Sequence, residues 1–178
     1  MSAPRAGVRL TERPPSARKR SFDPVADAAT RVLILGSLPG DVSLSHAQYY
    51  AHPQNQFWRL IGAMLGVDMP ADYDARLAAL LAQRVGLWDV VRAARREGSL
   101  DADIRDHEPN ALADFVTTLP SLRVVAFNGA KAAELGRAAF EPRGALRLIN
   151  LPSSSAAHTA TFEAKAAIWR QLRAHLDG

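Results

Sequence analysis

The chain has 178 residues, 48 % of them hydrophobic and 22 % charged, with three Trp and a formal net charge of +4. That composition suits one globular domain with a sizeable core. The absence of cysteine excludes a disulfide framework and a thiolate metal site, and no run approaches the ~20 apolar residues that a membrane span needs.

The charge is unevenly spread. Residues 1–24 hold six basic and two acidic side chains, while the remaining 154 residues carry sixteen of each sign. A basic, Pro- and Arg-rich leader over 1–24 is expected, disordered by composition and suited to a polyanion. It lacks the apolar core of a signal peptide. A single domain over 25–178 follows.

Residues 31–36 are nearly all apolar without alternation, the pattern of a strand buried on both faces. From 55 to 65 the apolar residues recur with a helical rhythm that stops at Gly66. Asp72 is placed to cap a second helix with Leu77, Leu80 and Leu81 inside. A second strand is read at 85–89, a surface loop or ragged helix at 92–107, and a helix at 110–119. Strands at 123–127 and 146–150 flank a helix at 130–140, and a last helix runs over 162–176. Strands alternating with helices predict an α/β fold of three layers, with a central four-stranded parallel sheet. Three loops, 36–53, 128–131 and 151–161, then converge on one sheet edge, where open α/β sheets place their ligands.

Common sites are excluded first. Neither GxxxxGK[ST] nor GxGxxG is present, and GSLPG puts Leu38 where a GxSxG elbow has its serine. His46, His52, His107, His158 and His175 are scattered, and no carboxylate sits at ligand spacing around His46 and His52 in their shared loop, so no metal is expected. What remains is a polar pocket with aromatic walls. Tyr49 and Tyr50 can stack on a planar base, typically worth ~1–3 kcal/mol. The amide of Asn55 can accept from a water and donate to a ligand. Each also has a purely structural reading. Asn55 can cap its helix, Asn128 before Gly129 can be turn chemistry, and Phe57, Trp58 and Trp88 fit the core.

The stretches Gly36-Ser37-Leu38-Pro39-Gly40 and Tyr50-Ala51-His52-Pro53-Gln54-Asn55-Gln56-Phe57-Trp58 resemble the first motif region of the uracil-DNA glycosylase superfamily. They are most similar to its hypoxanthine-DNA glycosylase branch. The resemblance continues through Gly86-Leu87-Trp88-Asp89-Val90-Val91, Gly98-Ser99-Leu100-Asp101, Phe127-Asn128-Gly129-Ala130-Lys131-Ala132 and Leu151-Pro152-Ser153-Ser154-Ser155.

The resemblance implies a monofunctional glycosylase acting on double-stranded DNA with deaminated bases, as a monomer without cofactor, in the cytoplasm and at the nucleoid in a bacterium. Leu38 stands where the uracil-specific branches carry a water-activating Asp or Asn, so catalysis is expected to pass to Asn55. Gly36, Ser37, Leu38, Pro39, Tyr50 and Asn128 are the expected base contacts. Gly40, Pro152, Ser153, Ser154, Ser155 and His158 are expected at the DNA, with His158 replacing the branch's usual Asn.

Overall fold

The computed structural model describes residues 17–141 and 144–177. In chain order the elements are Lys19–Arg20 (β1), Val32–Gly36 (β2), Asp41–His46 (α1), Phe57–Leu65 (α2), Tyr73–Ala82 (α3), Val85–Asp89 (β3) and Val91–Arg95 (β4). Arg105–Pro109 (β5), Leu112–Phe115 (α4), Val124–Asn128 (β6), Ala130–Gly136 (α5), Arg147–Leu151 (β7) and Phe162–Trp169 (α6) complete the fold.

The four apolar runs form the expected parallel sheet, in the order β3-β2-β6-β7. Alternation along each strand sends side chains to opposite faces. Val32, Ile34, Val85, Leu87, Val124 and Ala126 face one layer, with Phe57, Ile61 and Trp169 of α2 and α6. Leu33, Leu35, Val125 and Phe127 face the other, against Leu112 and Ala132 of α4 and α5. Both faces are therefore covered, as a parallel sheet requires. Asp72 caps α3 by accepting from Ala75 N–H at 2.9 Å.

Two expectations are corrected. Residues 92–107 are no loop or ragged helix: β4 and β5 form a hairpin, and with β1 they make a second, antiparallel sheet in the order β1-β4-β5. The charges that suggested a loop sit on its outer face. Arg92 pairs with Glu108 across the strands and Arg18 with the same carboxylate, while Val91, Ala93 and Ala94 are buried. The leader also ends earlier than residue 24. Lys19 and Arg20 pair with Ala94 and Ala93, and Phe22 packs on the main core. Residues 1–16, which hold the rest of that expectation, lie outside the described residues. Among the described residues no helix is long and apolar enough to cross a membrane.

Candidate active site

The carboxyl ends of β2, β3 and β6 bring the first site residues together. Gly36 closes β2 opposite Asp89, the last residue of β3. A Cβ on Gly36 would lie 2.7 Å from Asp89 Oδ1 and 2.8 Å from the Tyr50 hydroxyl. Only glycine lets those two groups approach this backbone so closely.

The next residues turn their side chains away from the sheet edge. Leu38 is buried against Val91, Ala94 and Ile104 of the antiparallel hairpin. The Ser37 hydroxyl donates to Asp101 Oδ1 at 2.5 Å. So Ser37 and Leu38, expected as base contacts, can meet a ligand chiefly through their backbone.

Tyr50 has φ of 56°, a left-handed conformation uncommon for an aromatic residue. Neighbours hold it there. Its ring stacks on Phe57 with centroids 3.8 Å apart and planes 9° from parallel, and its hydroxyl accepts from Asn128 Nδ2 at 3.1 Å. Phe57 covers one face of the ring. Burial pushes the Tyr50 hydroxyl well above the usual tyrosine range, with Asp89 adding to the shift, so it stays protonated. Tyr49 is core instead: it is buried, and its hydroxyl donates to Asp23 O at 2.9 Å.

Asn128 spends its side chain inside the protein. Nδ2 donates to the Tyr50 hydroxyl and to Ser154 Oγ at 2.9 Å, and Oδ1 accepts from Ser154 N–H at 2.9 Å. This amide clamps Tyr50 to the serine loop rather than standing free to read a base. Asn128→Ala is expected to cost about 2–3 kcal/mol, because the Ser154 N–H loses its buried acceptor. Denaturant unfolding, together with faster hydrogen exchange at Ser154, checks it.

Asn55 lies half-buried between the aromatic wall and the serine loop. Its N–H donates to His52 O at 2.9 Å, and the following Gln56 N–H donates to Ser154 O at 2.9 Å. Asn55 Oδ1 accepts from Phe57 N–H at 2.9 Å, so from one residue before the N-cap Gln56 the side chain satisfies the first N–H of α2. That bond uses one lone pair and fixes the amide plane. The second lone pair and the NH2 group have no hydrogen-bond partner among the described residues.

In the serine loop, Ser153 Oγ accepts from Ser155 N–H and Ser155 Oγ from Ala157 N–H. Each O–H hydrogen is thereby left to donate outward, which suits a phosphate. Ser154 is buried and its hydroxyl is held by Asn128. Pro152 is partly exposed and its carbonyl accepts from Trp169 Nε1 at 3.0 Å; His158 is exposed at the loop tip. A groove of about 570 Å³ beside Trp58, Arg59 and Phe162 shares none of these side chains. No group of three or more His, Cys, Asp or Glu among the described residues could hold a metal.

Known proteins resemble this chain in sequence and in fold. The sequence profile of the Uracil DNA glycosylase superfamily matches residues 23–173. The chain belongs to the uracil DNA glycosylase superfamily. A Methanosarcina barkeri protein named hypoxanthine DNA glycosylase is 42 % identical over 160 residues, 86 % of this chain and 97 % of its own. One of the same name from Methanosarcina acetivorans is 41 % identical, over 88 % of this chain and 99 % of its own. The solution NMR structure of a Methanosarcina acetivorans protein named for uracil DNA glycosylase superposes with a TM-score of 0.81. It is 39 % identical, covering 91 % of this chain and 100 % of that one.

Within this superfamily member, sequence reasoning passed over three buried charges beside the motif loops. Asp89 is 3 % exposed, with Oδ2 lacking any partner among the described residues. Burial and then the nearby Asp101 charge push its carboxyl up to about 7, against the opposing pull of Arg96. Arg96 is 2 % exposed beneath the GSLPG loop. Lys165 of α6 donates to Ser155 O at 3.1 Å from below the serine loop, and burial lowers its pKa. Asp89 carried a signal, an acid closing a run of otherwise buried strand residues.

Proposed function

We propose that this chain is a monofunctional DNA glycosylase that excises a deaminated base, hypoxanthine, from double-stranded DNA and leaves an abasic site. The observation that carries the reading is Asn55: half-buried at the start of α2, with its amide plane set by the Phe57 N–H, in a chain whose position 38 offers no acid. The two Methanosarcina relatives named hypoxanthine DNA glycosylase support it.

A base inside a duplex is unreachable, so it is extruded at a cost of about a few kcal/mol, least where pairing is already poor. The extruded purine stacks on Tyr50. Asn55 orients a water toward C1′ of the sugar. The C1′–N9 bond breaks with its electron pair leaving on the purine, and the water oxygen bonds to C1′. The water gives up one proton to solvent, and the purine takes one back. A positioned neutral amide suffices because the sugar already carries oxocarbenium character when water attacks. The Ser153 and Ser155 hydroxyls grip the flanking phosphates, and the basic leader adds non-specific hold on the polyanion. The enzyme works as a monomer, in the cytoplasm and, in a bacterial cell, on the nucleoid.

Labelled duplexes carrying one inosine, uracil or xanthine test this. Strand breaks that appear only after alkali, and fastest with inosine, are the expected result. Faster cleavage with uracil or xanthine would reassign the base. Binding without any breaks would make the chain a nucleic-acid-binding module.

A further inference from the structure

Four successive carbonyls of the GSLPG loop are gathered by one stretch of chain. Gly36 O accepts from Val90 N–H at 2.8 Å and Ser37 O from Val91 N–H at 3.0 Å. Leu38 O accepts from Arg96 Nη1 at 3.2 Å, and Pro39 O from Arg96 Nη2. In an extended strand successive carbonyls alternate in direction; here β4 and the residues flanking it collect them all. A trans peptide points its N–H opposite to its C=O. The N–H groups of Ser37, Leu38 and Gly40 are thus turned away from the hairpin, and none of them donates to a partner among the described residues.

Arg96 is built for that task. Its guanidinium is buried, its Nε donates to Gly98 O at 3.2 Å, and Asp101 approaches Nη1 at 4.0 Å. The same Asp101 accepts from the Ser37 hydroxyl. Leu38 fixes the loop from below by packing on Val91, Ala94 and Ile104. A buried arginine spent on backbone carbonyls, with its acid at the limit of ion-pair distance, is costly unless the loop needs that shape.

We propose that Arg96 is a positioning residue. By binding the Leu38 and Pro39 carbonyls, it aims the backbone N–H groups of Ser37, Leu38 and Gly40 at the extruded base, as a hole for the negative charge that the departing purine carries. The inference rests on the glycosylase reading and deepens it. Pre-aimed donors in a dry site stabilise developing charge without reorganising, which is where such sites gain most.

The test uses the full chain with Arg96→Met, which keeps the length of the stem, and Arg96→Lys, which can reach one carbonyl. Three quantities are read: single-turnover excision, affinity for abasic-site DNA, and amide exchange at residues 37, 38 and 40. Arg96→Met is expected to slow excision about 100-fold, with abasic-DNA affinity within about threefold and faster exchange at those amides. Arg96→Lys should fall between, and guanidinium ion should restore part of the rate lost in Arg96→Met. An unchanged rate overturns the proposal. So does a rate that falls only in step with DNA affinity, which would make the loop a phosphate grip. Should Arg96→Met not fold, wild-type protein decides: the Ser37, Leu38 and Gly40 amide signals must shift when hypoxanthine joins the abasic-DNA complex, and silence there refutes the idea. Wild-type protein that excises nothing sinks the glycosylase reading instead, while the exchange data still judge the pin.

Discussion

Asn55→Ala is expected to lower single-turnover excision of hypoxanthine by about 10²- to 10³-fold, the loss typical of removing one pre-placed polar group from a reacting centre. Affinity for abasic-site DNA should hold, because the proposed phosphate grip lies in the serine loop. Stability should fall by only about 1 kcal/mol, since the Phe57 N–H loses one cap acceptor at the first turn of α2. The two roles of this amide are separable. Asn55→Asp keeps an oxygen for the Phe57 N–H but removes the NH2 donor, so it should melt like wild type and still excise poorly. Equal rates for wild type and Asn55→Ala, with the predicted loss of stability, would reduce Asn55 to a helix cap and move the chemistry elsewhere.

The main sheet was legible because its strands are short, unbroken apolar runs. A strand buried on both faces has no other way to appear in a sequence. Residues 85–89 coincide with β3, β2 begins one residue later than expected, and β6 and β7 are each shifted by one residue. The antiparallel hairpin was not legible. Val91, Ala93 and Ala94 point inward while Arg92 and Arg95 point out, and β5 is almost wholly exposed, so charge hid the strand pattern. That miss propagated into the site. The side chain of Leu38 turns inward only because Val91, Ala94 and Ile104 wait for it, and Arg96 reaches the loop only from the end of β4. Helix α1 was missed inside the 36–53 loop, being six residues with no apolar period. Lys165 could have been found. With Phe162, Trp169, Leu172 and Leu176 it follows helical spacing on the buried side of the C-terminal segment, a polar residue at a core position. Asn55 and Tyr50 stood out through the resemblance to known glycosylases; spacing alone left Asn55 as either cap or catalyst, and the geometry shows its oxygen on the first N–H of α2.

Asp89 predicts a pH effect that reverses the usual behaviour of a carboxylate. Most native acids are stabilised in their charged form, and folding weakens as pH falls. This one is buried with an unpartnered oxygen, faces the Asp101 charge and the Tyr50 hydroxyl, and is only partly relieved by Arg96. Its carboxyl titrates near 7 in the fold against an ordinary value of 3.8. Below 3.8 the acid is protonated folded and unfolded alike, and it imposes no penalty. Between the two values the unfolded chain ionises first, so stability drains away as pH rises, reaching a loss on the order of 4 kcal/mol above about pH 7. Asp89→Asn has the same shape and cannot titrate. Its stability relative to wild type should therefore climb steadily between about pH 4 and pH 8, as followed by urea unfolding across that range. The neutral acid also matters for the proposed chemistry, since an ionised Asp89 would set a like charge beside Gly36 and Tyr50, where the glycosylase reading puts the departing purine anion. Wild-type excision should accordingly decline above about pH 7, and the Asp89→Asn enzyme should lose that decline. Parallel stability curves for the two proteins would mean that Asp89 finds a proton donor or cation in solution, and its influence on the leaving base would go with it.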